Sequence, residues 1–76
     1  MKIENSLTEI RKEFDRAKSL YPDLHSNHEA FAVLKEEVDE LWDEIKKSKG
    51  TRLNSQMKHE LIQVGAMVAR FLDNLD

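Results

Sequence analysis

The sequence predicts an all-α fold: an antiparallel chain of three helices that forms a single domain over residues 1–76. Apolar residues recur at steps of three and four in three separate segments, which is the spacing of a buried stripe on a helix. The chain has two glycines and one proline, too few for the many turns of a sheet protein. We therefore predict helices over about residues 6–20, 27–48 and 54–74, joined by short connections.

The first predicted helix has both a start signal and a stop signal. Ser6, followed three residues later by Glu9, matches a capping box, in which two side chains satisfy backbone N–H groups at a helix start. Pro22 ends the helix because it lacks an N–H group and disfavours helical geometry at Tyr21. The predicted buried stripe comprises Ile3, Leu7, Ile10, Phe14, Ala17 and Tyr21. The other faces are assigned to Lys2, Arg11, Lys12, Glu13, Asp15, Arg16 and Lys18.

The second predicted helix repeats the same start signal. Ser26 and Glu29 form another capping box, so this helix should begin near Asn27. Lysines in its last turns complement the helix dipole, and Gly50 is a natural residue just beyond its end. Its predicted stripe comprises Phe31, Leu34, Val38, Leu41 and Ile45.

The third predicted helix has an ambiguous start, because Thr51, Asn54 and Ser55 are all candidate caps. Gly65 is expected either to permit close approach of a neighbouring helix or to be a tolerated gap in the core. The predicted stripe comprises Met57, Leu61, Val64, Val68, Phe71 and Leu75.

Composition restricts the function. The absence of cysteine excludes disulfides, thiol chemistry and Cys-type zinc sites. A net charge of −3 argues against nucleic acid as a partner, because phosphate backbones are bound by basic faces. No apolar run approaches a membrane span, and the first residues lack the apolar core of a signal peptide. We therefore expect a cytoplasmic protein with no membrane partner. Small scaffolds without disulfides often oligomerise, so we also expect a dimer or larger.

The most informative stretch is 34–41, which holds four acidic residues in eight. With Val38 at the stripe centre, Glu37 and Glu40 lie on one flank of the second helix. On the third helix, Glu60 lies only ~40° from Val64, inside the angular span of the apolar stripe. Carboxylates that converge repel one another unless a cation lies between them. Three of them form an oxygen-rich site that suits Mg²⁺ or Mn²⁺.

A simpler interpretation stays open at this point. Acidic pairs at this spacing are common on solvated helix faces, and Glu60 could extend outwards or pair with a lysine such as Lys58 or Lys12. Four further acids of the second helix are expected at the surface: Glu36, Asp39, Asp43 and Glu44.

The run Glu36-Glu37-Val-Asp-Glu40 resembles the EExxE signature of the MazG-like all-α nucleoside triphosphate pyrophosphohydrolases. Glu60-Leu-Ile-Gln63 is similar to the second signature of that family, ExxD, and 19 residues separate it from Glu40. The resemblance covers about residues 28–74 and is to short phage and bacterial members in particular.

This resemblance implies a fold, an activity and a site. Glu37, Glu40 and Glu60 would bind Mg²⁺, with Mn²⁺ as a possible substitute, and Gln63 would stand at a further ligand position. Glu36 would support Glu37 in catalysis. The implied reaction cleaves a nucleoside triphosphate into a monophosphate and pyrophosphate. The family has four core helices, so a homodimer or homotetramer would complete the bundle, with the second and third helices near the interface.

Gln63 is the one departure from the family pattern, which has aspartate there. A glutamine can ligate a metal through its carbonyl oxygen, but it brings no charge and cannot act as a base. Two functions therefore stay open. One is a working pyrophosphohydrolase, and the other is a catalytically impaired module of the same fold with an interaction or regulatory role.

Overall fold

The computed structural model describes residues 1–47 and 54–75. It contains three helices: α1 is Ile3–Leu20, α2 is Asn27–Ile45 and α3 is Asn54–Asp73. All regular structure in the described part is helical, so the predicted all-α class is confirmed. None of the helices in these ranges is long and apolar enough to cross a bilayer.

The predicted start of α1 at Ser6 was wrong. The helix begins at Ile3, and its N-cap Lys2 has extended backbone angles and no capping side chain. Ser6 lies inside the helix, where its hydroxyl donates to the Lys2 carbonyl at 3.2 Å. A serine hydroxyl commonly bonds the carbonyl one turn back when it lies within a helix. The end was predicted correctly, because the helix stops at Leu20 and Tyr21 is extended before Pro22.

The predicted start of α2 is confirmed. Ser26 is the N-cap, and its hydroxyl accepts a hydrogen bond from the Glu29 N–H at 3.0 Å. The Glu29 carboxylate reaches one residue further than in a capping box and accepts from the His25 N–H at 3.2 Å. The helix ends at Ile45. The predicted end at 48, Gly50 and Thr51 lie outside the described residues.

Helix α3 lies between the other two helices. It packs against both α1 and α2, and the backbones of these two stay apart within the described residues. The Asn74 side chain donates to the Leu24 carbonyl at 3.2 Å, which joins the end of α3 to the start of α2. Lys18 and Asp73 form an ion pair at 2.9 Å, so α1 and α3 run parallel. The result is an open helical layer with extents of 43 × 27 × 19 Å.

Gly65 permits the close approach of α1 and α3, the first of the two roles expected for it. A Cβ atom at this position would lie 2.8 Å from Ile10 Cδ1 and 3.0 Å from its Cγ1. Carbon atoms at such distances repel, so a side chain here would push the helices apart or displace Ile10.

The buried core is small and consists of Ala17, Ala30, Ala66 and Met67. The prediction that Val38 marks the buried centre of the α2 stripe was wrong, since Val38 is 44% exposed. In a single layer α2 has only α3 as a neighbour, so the side of α2 at Ala30 and Leu41 is covered instead. Seven large apolar side chains of α2 and α3, and Leu75 just beyond α3, stay exposed and are called here the apolar face: Phe31, Val38, Trp42, Ile45, Leu61, Val68, Leu72 and Leu75.

Candidate functional site: a carboxylate cluster between α2 and α3

Three carboxylates from two helices meet at one point. Glu37 and Glu40 come from adjacent turns of α2, and Glu60 comes from the first half of α3. One oxygen of each group lies within 4.8 Å of an oxygen of the other two. The antiparallel course of α2 and α3 brings these residues together, although 19 residues separate Glu40 from Glu60 in the chain. These three residues are called here the carboxylate cluster.

The cluster combines burial with an unsatisfied acceptor. Glu37 and Glu60 are half-buried, whereas Glu40 is exposed. Glu60 Oε2 is inaccessible to solvent and has no hydrogen-bond partner among the described residues. Glu44 Oε1, one turn beyond Glu40, has the same property, so the prediction of a solvated Glu44 was wrong. Buried polar atoms are nearly always paired, and an unpaired oxygen therefore calls for a bound group or a proton.

Electrostatics at the cluster disfavours the charged form of two acids. Burial raises the pKa of Glu37, and the neighbouring carboxylates of Glu40 and Glu60 raise it further. Burial likewise raises the pKa of Glu60, with Glu40 adding to the effect and His59 opposing it. A proton or a cation relieves this repulsion.

The donor set of the cluster fits a hard divalent cation. All of its donors are carboxylate oxygens, which Mg²⁺ and Mn²⁺ prefer. A cation here would relieve the repulsion among the three carboxylates, and one of them, Glu60, has a buried oxygen without a partner among the described residues. Exposed Glu40 leaves one side of the cluster open to water, and Mg²⁺ usually keeps several water ligands.

The simpler interpretation, in which the acids lie on solvated helix faces or pair with lysines, fits some of these residues and not others. Asp39 pairs with Lys35 at 3.1 Å and Asp43 with Lys46 at 3.0 Å, as expected of solvated helix faces. Lys12, one of the proposed partners of Glu60, pairs instead with Glu9 at 3.5 Å.

Two predicted site residues lie outside the carboxylate cluster. Glu36 is exposed on α2 next to Glu37, and its side chain does not join the three. Gln63 is half-buried one turn beyond Glu60, and its side-chain amide donates to Glu13 Oε2 at 2.8 Å. The structure therefore links Gln63 to α1.

Glu13 is the residue that the sequence analysis misplaced. It was assigned to a solvated face of α1, but only 9% of it is exposed. Arg16 donates to both of its oxygens, including one bond of 2.8 Å from Nη2 to Oε2. Those bonds, with a further one from Gln63, lower the pKa of Glu13 against the opposing effect of burial. One signal was readable: Glu13 lies only ~40° from Ala17 on the helix, within the stripe.

A cleft of about 290 Å³ opens beside the cluster and is lined by residues of all three helices. Glu37 and Gln63 line it together with Arg16 and Arg70. The Arg70 guanidinium lies 5.9 Å from the centre of the Tyr21 ring. The cleft thus holds the Arg70 cation, and the Arg16 guanidinium that is paired with Glu13, next to a group of carboxylates.

Comparison of the chain with models of protein families, with curated proteins and with solved structures found no match in any of the three. The assignment to the MazG-like family therefore stays a prediction that depends on the residues of its two motifs.

Proposed function

We propose that the protein is a Mg²⁺-dependent nucleoside triphosphate pyrophosphohydrolase that uses the carboxylate cluster as its metal site. The observation that supports this most is the convergence of Glu37, Glu40 and Glu60 with a buried, unpartnered oxygen on Glu60. In the proposed reaction a water oxygen bonds to the α-phosphorus and the bond from that phosphorus to the bridging α–β oxygen breaks. The products are a nucleoside monophosphate and pyrophosphate.

Each part of the site has a role in this proposal. Mg²⁺, when bound, would stabilise charge on phosphoryl oxygens and lower the pKa of a coordinated water. We assign to Glu36 or Glu37 the orientation of the attacking water and the acceptance of its proton. The cleft beside Glu37 is the place for the triphosphate, because the Arg70 guanidinium lines it; Arg16 lines it as well, with two of its nitrogens bonded to Glu13. Arginine binds phosphate oxygens through paired, charge-assisted hydrogen bonds.

We further propose that the chain forms a homodimer or homotetramer in the cytoplasm, where nucleoside triphosphates are abundant. The apolar face supports assembly, since its eight large side chains are between 38% and 65% exposed. Large apolar side chains that stay exposed along neighbouring helices are typical of protein interfaces. A second copy that packs on α2 and α3 would convert the open layer into a closed helical bundle.

Pyrophosphate release tests the enzymatic part of the proposal. The protein is incubated with a panel of ribo- and deoxyribonucleoside triphosphates and Mg²⁺ or Mn²⁺, and pyrophosphate is measured. We expect release from at least one substrate, and loss of it in Glu37→Gln and in Glu60→Gln. Asp39→Asn is the matched control, because it neutralises an exposed acid of α2 that pairs with Lys35. Absence of release from every substrate would exclude the enzyme.

The second candidate is a helical interaction or regulatory module without catalysis. The bond from Gln63 to Glu13 favours it, because a neutral side chain that is held by α1 adds no charge to the cluster. Metal-dependent stability separates a metal site from a cluster of repelling surface acids. At a Mg²⁺ concentration ~100 times the dissociation constant, binding should add about 2.7 kcal/mol to the free energy of unfolding. The idea of a metal site fails if Glu60→Gln stabilises the metal-free protein and Mg²⁺ affects neither form.

A further inference from the structure

The hydrogen bond between α1 and α3 next to the carboxylate cluster has a defined donor and a defined acceptor. Gln63 Nε2 donates to Glu13 Oε2 at 2.8 Å, and the same oxygen accepts from Arg16 Nη2 at 2.8 Å. A carboxylate only accepts hydrogen bonds, so it selects the NH₂ end of the amide and repels the carbonyl end. The orientation of the Gln63 side chain is therefore determined by Glu13.

Gln63 lines two depressions, the groove that contains Glu13 and the cleft that contains Glu37. Its NH₂ group is held on the Glu13 side. Its carbonyl oxygen takes no part in that bond, and Gln63 lies one helical turn from Glu60.

We propose that Glu13 is a positioning residue that turns the carbonyl oxygen of Gln63 towards the carboxylate cluster, where it serves a divalent cation or a water bound to it. This inference rests on the proposed metal site. It assigns to α1 a part in a site whose carboxylates all come from α2 and α3. Arg16 holds Glu13 through both oxygens, and the two residues together orient Gln63.

Burial makes this arrangement specific. Glu13 is 9% exposed, so water does not compete effectively for its oxygens. Groups that orient a metal ligand without touching the metal typically change metal affinity by roughly 10- to 100-fold when they are removed. Arg16 is half-exposed, so its guanidinium can be hydrated if Glu13 is replaced.

The test measures the dissociation constant of Mn²⁺ alone, by titration calorimetry or electron paramagnetic resonance. Glu13→Leu removes the acceptor and should weaken Mn²⁺ binding roughly 10- to 100-fold. Glu13→Gln keeps an oxygen that can accept from Gln63 and should retain most of the affinity. Gln63→Leu should show the same loss as Glu13→Leu, and the double variant should show no further loss, because both changes remove one orienting unit.

A charge-swapped pair tests the contact by stability. Gln63→Glu alone would place two carboxylates at hydrogen-bond distance and should lower the melting temperature of the metal-free protein. Adding Glu13→Gln reverses the direction of the bond and should recover the melting temperature. This second measurement remains informative if Glu13→Leu does not fold.

The outcomes separate this proposal from the proposed function. If the wild type binds Mn²⁺ and Glu13→Leu or Gln63→Leu binds it with the same affinity, the role of Glu13 is overturned and the proposed metal site is unaffected. No Mn²⁺ binding by the wild type overturns both. The positioning role is also contradicted if the losses of Mn²⁺ affinity in Glu13→Leu and Gln63→Leu add up in the double variant. It is contradicted as well if Gln63→Glu is as stable as the wild type.

Discussion

Glu37 and Glu60 are acids whose surroundings favour their protonated form. Their pKa values lie above the ordinary value of 4.5, first because of burial and then because other carboxylates are close. In the folded protein they hold protons more tightly than in the unfolded chain. This contribution to stability is therefore fully present below the ordinary pKa, and it is lost as the pH rises through the raised pKa.

This sign predicts how the metal-free protein responds to pH. In the presence of a chelator, the wild type should gain thermal stability as the pH falls from neutral towards 4.5, the ordinary pKa of a glutamate. The double variant Glu37→Gln/Glu60→Gln should lack this gain, because amides do not titrate. The quantity to measure is the difference in melting temperature between the two proteins at each pH.

Asp39, an acid outside the cluster, provides a control for this measurement of melting temperature against pH. Asp39→Asn should keep the slope of the wild type, since Asp39 pairs with Lys35 and lies outside the cluster. Glu13 acts with the opposite sign, because its pKa is lowered and its contribution is lost only at a pH below the ordinary value of 4.5. A wild-type slope equal to that of the double variant between neutral pH and 4.5 would contradict the repulsion at the cluster.

Single residues show how far sequence reasoning reaches. Glu60 could be identified because a carboxylate inside an apolar stripe is visible on one helix. Glu13 lies within a stripe in the same way, but its compensation comes from Arg16 and Gln63. A pattern along one helix does not show which residue of another helix will contact it, so the bond across α1 and α3 required the structure.

At the level of elements, the same Ser-x-x-Glu pattern occurs at two places and caps only one helix. Ser26 has extended backbone angles and follows a non-helical segment, so the first N–H groups of α2 are left for its side chain to cap. Ser6 has three residues before it that join the helix, so its hydroxyl bonds a carbonyl instead. The motif indicates a cap only where the preceding backbone is non-helical.

This difference predicts opposite effects for one type of substitution. Ser26→Ala removes the cap and should lower the free energy of unfolding by about 1 kcal/mol. Ser6→Ala should leave it unchanged or raise it by up to about 0.5 kcal/mol, because alanine has the highest helix propensity. Chemical denaturation of both variants measures the two effects.

Ser6→Ala is the matched control for Ser26→Ala, because each serine has a glutamate three residues later. Equal destabilisation by the two substitutions would mean that Ser6 also caps a helix and that α1 begins later than Ile3. If Ser26→Ala is as stable as the wild type, the side chain of Ser26 does not stabilise α2 as its cap.

At the level of the whole molecule, the layer has two different sides. Successive residues of a helix are rotated by about 100° around its axis. On both α2 and α3, the row of exposed apolar side chains lies roughly a quarter turn around the helix axis from the side that contacts the other helix. The turn has the same direction on both helices when each is viewed from its N-terminus. Because α2 and α3 are antiparallel, the two rows share one side of the layer. Glu40 and Gln63 are displaced in the other sense, so an assembly formed through the apolar face leaves the cluster and its cleft open.

The stripe positions of α2 and α3 explain why their burial was mispredicted. Val38 and Val68 are correctly placed as members of apolar stripes, yet they are 44% and 42% exposed in the single chain. A stripe indicates that a helix side needs a partner, and it does not indicate whether that partner belongs to the same chain. The core of a short chain is limited, and among the described residues the buried apolar side chains are three alanines and one methionine.

Assembly through the apolar face gives the last prediction. Sedimentation of the wild type at micromolar concentration should show a dimer or tetramer. A charge at the centre of each row, Val38→Lys with Val68→Lys, would have to be buried without a counter-ion in that interface, which is strongly unfavourable. The double variant should therefore sediment as a smaller species and should unfold at a lower temperature that depends less on protein concentration.

Leu20→Lys separates this effect from a general response to surface lysines. Leu20 is 61% exposed at the end of α1 and does not belong to the apolar face, so this substitution should leave the assembly intact. Because the cluster lies on the other side of the layer, Mn²⁺ affinity should change little when Val38→Lys with Val68→Lys dissociates the assembly, provided that the monomer stays folded. A wild type that sediments as a stable, folded monomer would contradict assembly, and disruption by Leu20→Lys alone would move the interface to α1.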